Sequence, residues 1–383
     1  MKILQIMFAG AYNENFTYQD NLLPRCQKKL GHDVIFVANC WTFQDGKEIP
    51  TKPCDYVMAD GVRLVRLPYK HVLNGFLTEK LRDAMGLAEL LEKESPDVIM
   101  IHDPHTVSVD TVCTYLRSHP NSRLVVDSHI DAHNSAKNLA SKYVLHRLIY
   151  KKYVREAARY ARHFYVLTDE CRQFAIENYG LSDDKIELLP LGGIIPSEED
   201  YNSNRVQIRK ALNLEESDVL LIHSGKVTEG KKTDLLLDAF SQVPEKRAHL
   251  VVIGTVPEEN KELEAKLQIA QEQDSRVHYV GWKSGSELAK YLCAGDIYVQ
   301  PGTQSATMQN AACSRCALVL YPYTSHKALL GDTAYYAADE DQLVQVLTEL
   351  TQSQEKLEES RRQVFSLAGE KLDYMRQAEQ ILE

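Results

Sequence analysis

The sequence predicts an α/β protein built from two doubly wound domains. Short, continuous apolar runs alternate with longer segments of helical spacing, the pattern of parallel strands buried on both faces and joined by crossover helices. The alternation breaks near residue 193 and restarts near 205. At about 100–200 residues per domain, 383 residues accommodate two such units.

In chain order, residues 2–8 read as the first strand, with the run Ile3-Leu4-Gln5-Ile6-Met7-Phe8. Residues 21–30 have helical spacing and stop at Gly31. Strands follow at 33–38 and 63–67, a helix at 77–93, and a strand at 98–102 after Pro96-Asp97. A helix near 107–117 leads to a strand at 123–126. A long helix spans about 136–163, followed by a strand at 164–167 and a helix to Tyr179. The run 186–193 is a strand that breaks, and 196–204 is polar and loop-like. The second array places strands at 219–223, 249–253, 277–279, 296–300 and 317–321. Helices fall between them at 234–242, 261–273, 287–292 and 305–315. The tail 339–383 is charged and helical.

The net charge of −10 argues against a general nucleic-acid binder, which needs a basic surface. Eight scattered cysteines without a leader segment read as reduced thiols in a cytoplasmic protein. Cys313 and Cys316 form one CxxC with no second pair or histidine at ligand spacing, so no metal is expected there. No apolar run approaches the ~20 residues of a membrane span, so membrane contact is expected to be peripheral at most.

Ligands of doubly wound sheets bind beyond the carboxyl ends of the strands. After the first strand comes Ala9-Gly10-Ala11-Tyr12-Asn13, where Gly10 lets backbone approach a phosphate or a sugar; the fingerprint GxGxxG is absent. Two further strand ends carry His102-Asp103-Pro104-His105 and Asp127-Ser128-His129-Ile130-Asp131-Ala132-His133. Hydrogen bonding to sugar or phosphate, structural use and a divalent metal are all open for these imidazoles. In the second array a strand runs into Ser224-Gly225-Lys226-Val227-Thr228-Glu229-Gly230-Lys231-Lys232-Thr233-Asp234 and then an apolar helix. Two cations on a glycine-bounded strand-to-helix turn suit a diphosphate, the alternative being a solvated basic loop; the Walker spacing does not fit. Pro301-Gly302-Thr303-Gln304-Ser305-Ala306-Thr307 offers a hydroxyl-rich helix start, which also reads as plain N-capping.

Taken together, these pieces resemble a retaining GT-B glycosyltransferase of the family-4 type, over nearly the whole chain. The most specific stretch is Gly225-Lys226-Val227, three residues, Lys231, two residues, Asp234, followed by Leu-Leu-Leu-Asp-Ala-Phe. In the family an arginine and a lysine at the positions of Lys226 and Lys231 contact the donor diphosphate. Val125–His129 resembles the strand whose histidine touches the transferred sugar, and Gly10 falls on the family's glycine loop. Leu188-Leu189-Pro190-Leu191-Gly192-Gly193 resembles the interdomain segment. The family's paired glutamates are missing: Asn310 stands at the second and Gly302 at the first. Asn310 retains the capacity to hydrogen-bond a ribose, and Gln304, Ser305 or Thr307 stand in for the first contact.

The resemblance implies two Rossmann-like domains facing a cleft, an acceptor-side domain at 1–193 and a nucleotide-sugar domain at 205–364, with a C-terminal helix at about 365–383 packing back on the first. It implies sugar transfer from a nucleotide-sugar to a glycan, lipid-linked or small-molecule acceptor with retention, in polysaccharide or glycoconjugate synthesis, with neither metal nor cofactor. His129, Lys226 and Lys231 carry the catalytic roles, and Gly10, Gly225, Ser305, Thr307 and Asn310 hold the donor. A non-catalytic subunit supporting a partner transferase and a sugar-nucleotide epimerase are the rivals. The basic, tyrosine-rich stretch 137–163 is read as a surface for anionic lipid, beside the readings of core helix and subunit contact.

Overall fold

The computed structural model describes residues 1–44, 47–132, 135 and 141–383. His133 and Lys137, named above, lie outside them. The chain divides into one unit of Met1–Pro190 with Tyr374–Glu383 and a second of Leu191–Asp373.

Among its described residues the first unit holds ten strands: β1 (Lys2–Met7), β2 (Asp33–Asn39), β3 (Trp41–Gln44), β4 (Lys47–Pro50), β5 (Cys54–Val57), β6 (Arg63–Leu67), β7 (Val98–His102), β8 (Arg123–Ser128), β9 (Ala161–Val166) and β10 (Glu187–Leu188). Eight form one sheet in the order β10-β9-β8-β7-β1-β2-β6-β5, parallel except for the edge strand β5; β3 and β4 form a separate antiparallel pair. The central strands are apolar on both faces because helices cover both. Leu4, Ile6, Ile99, Ile101, Leu124 and Val126 pack into one core, while Val34, Phe36 and Leu64 pack with Tyr12 in another. Sequence periodicity missed β3, β4 and β5, whose side chains are mostly exposed or half-buried and form no apolar run.

The expected helix 77–93 is two helices, Gly75–Leu81 and Leu87–Glu94. Arg82 (φ 54°) and Gly86 (φ 81°) break it. The hydroxyls of Thr106 and Ser108 take the Arg82 carbonyl at 2.6 and 3.1 Å, so tertiary partners replace the next helical turn. Of the expected helix at about 136–163, residues 136–140 lie outside the described residues; the rest is a wide π-helical segment, Ser141–Tyr150, continued by an α-helix, Lys151–Tyr160, and Ala161 already starts β9.

The second unit holds β11 (Val219–Ser224), β12 (Ala248–Ile253), β13 (Val277–Tyr279), β14 (Ile297–Gln300), β15 (Ala317–Leu320) and β16 (Tyr335–Tyr336), all parallel, in the order β13-β12-β11-β14-β15-β16. Alternate residues of β11, Leu221 and Ile222 for example, feed the two cores on opposite faces.

Two boundaries differ from expectation. Residues 196–204 are not a loop: Glu198–Ala211 is a helix capped by the Ser197 hydroxyl, which accepts from Asp200 N at 3.1 Å. Acids fill its first turn, and Arg209 and Lys210 its last, as the helix dipole favours. Its buried face is Tyr201, Ile208 and Arg209 alone, too thin an apolar stripe to read from sequence. The returning tail is shorter than 365–383. Val364, Ala368 and Leu372 are buried in the second unit's core, and only Tyr374–Glu383 belongs to the first unit. There Gln377 donates to the Pro190 carbonyl at 2.9 Å and Arg123 to the Leu382 carbonyl at 2.8 Å.

Candidate active site

In each sheet the strand order reverses at one point, and the crevice beyond the carboxyl ends at such a point is where ligands sit. In the second unit it lies between β11 and β14. Their carboxyl ends lead into the Gly225–Lys231 turn and the Pro301–Thr307 loop, the two segments singled out by sequence.

These segments are stitched together. Thr303 N donates to Gly230 O at 2.8 Å, and the Lys231 ammonium donates to the carbonyls of Thr303 and Gln304, each at 2.9 Å. Burial pushes the Lys231 ammonium below its ordinary pKa. The contact requires glycine at 302, where a Cβ would overlap the Gly230 carbonyl oxygen and the Lys231 carbonyl. Gly225 has a φ of 138°, and the Lys231 stem crosses 3.4 Å from where its Cβ would stand. A Cβ on Gly254 would overlap the Gly225 carbonyl. Lys226 is exposed, with no carboxylate at ion-pair distance among the described residues.

Sequence reasoning missed His223, the buried support of this turn. Its Nδ1 lies 2.9 Å from Val299 O and its Nε2 3.0 Å from Thr233 Oγ1, tying β14 and the next helix start to β11. Burial pulls its pKa down to about 4, so it is neutral. The hydroxyls of Ser305 and Thr307 are 3.1 Å apart. Asn310 donates to the Ala306 carbonyl at 3.4 Å, and its Oδ1 lies where a Cβ on Gly193 would collide. Cys313 and Cys316 are buried free thiols facing backbone carbonyls.

In the first unit the strand order reverses between β1 and β7. The loop after β1 is held by Asn39, whose amide donates to Gly10 O at 2.8 Å, and by Tyr69, whose hydroxyl donates to Phe8 O at 2.7 Å. A buried polar chain crosses the sheet beneath. Gln5 takes Gln27 Oε1 through its amide at 2.7 Å, and its own Oε1 lies 2.8 Å from His102 Nε2. His102 Nδ1 is 2.9 Å from Asp127 Oδ2, which is 3.4 Å from His129 Nε2. Gln5 was the one polar residue inside an apolar run, the signal that a buried partner awaited it.

His129 is 30% exposed. Burial would lower its pKa, but the charge and hydrogen bond of Asp127, with Asp103 and Asp20 behind, raise it to about 9. Burial opposes ionisation of Asp127 as well, yet the imidazoles of His102 and His129 hold it well below the usual carboxylate range. The backbone N–H of His129 donates to Asp103 Oδ1 at 2.8 Å. His102, Asp127 and His129 bring one ligand atom each within 4.8 Å of one another, a spacing that a metal could use. Both His102 nitrogens already face acceptors, so an ion would have to displace the His102–Asp127 pair.

Residues 218–353 match the family of glycosyl transferases group 1, and residues 21–192 match the glycosyl transferase 4-like domain. No curated protein matches the sequence. Among solved structures, a glycosyltransferase from Rickettsia africae superposes with a TM-score of 0.65 at 12% identity, covering 100% of this chain and 98% of that one. Anabaena HepE in complex with UDP and glucose gives 0.61 at 13%, over 100% and 98%. Sucrose-phosphate synthase from Thermosynechococcus elongatus gives 0.64 at 15%, over 99% and 97%. At such identities the likeness is one of fold. With a glycosyl transferase 4-like domain followed by a group 1 domain, on two Rossmann-like α/β units, the chain belongs to the GT-B glycosyltransferases.

Proposed function

We propose that the protein transfers a sugar from a uridine-diphosphate-type donor, held by the second unit, to an acceptor addressed by the first. The observation that carries this reading is the pair Lys226 and Lys231 on the glycine turn at the β11/β14 switch point. The HepE structures with UDP and UDP-glucose favour the same donor class. The two lysines neutralise charge growing on the leaving diphosphate, an electrostatic role that needs no protein nucleophile. The leaving phosphate takes the acceptor proton on the same face of the sugar, which retains anomeric configuration. His129 hydrogen-bonds the transferred sugar, Gly10 and Gly225 let backbone approach the donor, and Ser305, Thr307 and Asn310 meet its sugar and ribose hydroxyls. The test is hydrolysis of UDP-glucose and related donors without acceptor. Slow UDP release by the full chain is expected; the absence of both UDP release and UDP binding would sink the reading.

One observation favours a second reading, a subunit that binds without catalysing. Asn310 stands where the family carries a glutamate, and its amide already bonds Ala306 O. UDP binding with no turnover toward any acceptor would select it.

A lipid-linked acceptor is the finer reading. No helix among the described residues is long and apolar enough to cross a membrane. Tyr143 and Leu148 are 49% and 71% exposed on the π-helical segment, with the Arg147 guanidinium 5.0 Å over the Tyr143 ring. Two cations farther along are paired, Lys152 with Asp110 at 2.9 Å and Arg159 with Glu156 at 3.3 Å. The surface is therefore less basic than the residue count suggests. Co-sedimentation with anionic vesicles at low salt, lost at high salt and absent with neutral lipid, is the expected result. Binding indifferent to lipid charge, or none, would overturn this part.

A further inference from the structure

The first unit contains a pocket of about 310 Å³ that shares His129 with the donor reading but whose cations that reading does not use. It is lined by Lys80, Arg82, Asp103, His105, His129 and His146, among others. Its size is at the lower end for small-molecule sites, which run roughly 300–1,000 Å³. It lies beside the carboxyl ends of β7 and β8, next to the histidine assigned to the sugar.

The pocket is electropositive on a protein with a net charge of −10. Lys80 and Arg82 have no carboxylate at ion-pair distance among the described residues, and Asp127 supports His129 as a cation. The carboxylate in the lining, Asp103, spends Oδ1 on the His129 N–H at 2.8 Å and faces the Ser128 hydroxyl at 3.4 Å. Arg82 is held in place before any ligand arrives. Its backbone sits in the left-handed region at φ 54°, as does that of Asp103 at 53°. For arginine this conformation is unfavourable, and it persists because the surroundings over-determine it. Arg82 N donates to Thr78 O at 2.9 Å, its carbonyl accepts from Thr106 and Ser108, and its guanidinium donates to His105 O at 3.2 Å.

Behind the cations lies a buried nitrogen with no hydrogen-bond partner among the described residues, His105 Nδ1. The side chain of His105 is fully buried, and its Nε2 is 2.7 Å from Tyr179 Oη. His146 Nδ1 is also 2.7 Å from that oxygen. His105 Nδ1 has no hydrogen-bond partner among the described residues; Asp103 Oδ1, at 3.9 Å, is too far. Burial keeps both imidazoles neutral, with His146 lowered to about 4. The pocket thus brings together the residues of a planar guanidinium fork and a buried imidazole, with Lys80 at its edge, whose ammonium rests 5.7 Å over the Phe76 ring on a flexible stem that can swing toward an anion. Donors approaching from several directions match a tetrahedral oxyanion, whereas a planar carboxylate needs the fork alone.

We propose that this pocket binds a phosphate group of the acceptor, with Arg82 and Lys80 as its cations and His105 Nδ1 as a third contact. The proposal rests on the transferase reading for the word acceptor, but not for the site. The same chemistry is carried by a soluble sugar phosphate and by a lipid-linked sugar diphosphate.

The test is calorimetric titration of the full chain at low salt with inorganic phosphate, glucose 6-phosphate, and a short-chain polyprenyl diphosphate in micelles. Glucose and glucuronate are the controls, and UDP is titrated separately. Saturable binding of phosphate-bearing probes is expected, with glucose and glucuronate inert. Lys80→Gln and Arg82→Gln are each expected to weaken binding roughly 10–100-fold, the range for one charge-assisted hydrogen bond. Lys80→Gln carries the test if Arg82→Gln fails to fold. The arm that binds tighter, sugar phosphate or polyprenyl diphosphate, identifies the source. Phosphate bound equally by wild type and Lys80→Gln, or glucuronate bound in preference to phosphate, would overturn the proposal. A chain that binds UDP but no phosphate probe overturns this site and leaves the donor reading standing. One that binds phosphate probes at this site but not UDP does the reverse.

Discussion

Replacing Lys231 by alanine is expected to slow sugar transfer by roughly 100–1,000-fold, and replacing Lys226 by roughly 10-fold or more. A hydrogen bond to a charged group contributes about 1.5–3 kcal/mol, and charge growing on the leaving diphosphate adds to that in the transition state. Lys231 carries the larger effect because it has two jobs. Its ammonium holds the carbonyls of Thr303 and Gln304, so its loss frees the loop as well as removing a charge. Lys226 is exposed, so its substitution subtracts charge with little structural cost. Lys231→Gln separates the two jobs, since it retains a donor for the loop without the charge. A kcat as low in Lys231→Gln as in Lys231→Ala assigns the effect to charge. UDP affinity and kcat unchanged in both lysine variants would remove the central claim.

The second large effect is expected at His129. His129→Ala should lower kcat by roughly 100-fold, as for loss of one well-placed polar contact in a transition state, while the unit stays folded. Asp127 keeps its partner when His129 is removed, because His102 Nδ1 lies 2.9 Å away. The pH dependence of stability gives an independent reading. His129 is raised to about 9, above the ~6.5 of a free imidazole. Its contribution is therefore fully present below about pH 6.5 and is lost as pH rises through 9. Wild-type stability should fall by on the order of 1–3 kcal/mol across that window, and the His129→Ala profile should be flatter there. Asp127 acts at the other end: its pKa is depressed, so its contribution is present above about pH 4 and disappears as pH falls. Chemical denaturation at stepped pH measures both limbs. Parallel profiles for wild type and His129→Ala would show that the imidazole is not coupled to Asp127.

Much of this site was legible because its signals are local. A strand that ends in Gly225-Lys226 and resumes as a helix after Lys231 announces a turn with two cations, whatever surrounds it. Likewise a strand ending at Ser128-His129 puts an imidazole at a carboxyl edge. Arg82 and Lys80 gave no such signal. They sit in what read as one continuous amphipathic helix, which turns out of helical geometry at Arg82 and Gly86, with the Arg82 carbonyl captured by Thr106 and Ser108, distant in sequence. His223 was hidden for the converse reason, since it ends an apolar strand and its two partners come from β14 and the following helix.

By itself the sequence determined the alternation of strand and helix, the restart after residue 193, and the cationic turn. These follow from apolar runs and turn chemistry acting over a few residues. The tertiary structure decided which polar groups meet. Gln5, His102, Asp127 and His129 come together because β1, β7 and β8 are neighbours in a parallel sheet, an order set by crossover connections that no local pattern encodes. It also decided where the tail divides. Residues to Asp373 stay with the second unit and those from Tyr374 join the first, because Leu372 finds an apolar core on one side and Gln377 a strand-end carbonyl on the other. Helical periodicity is the same on both sides of that point. Only the burial available to each face distinguishes them.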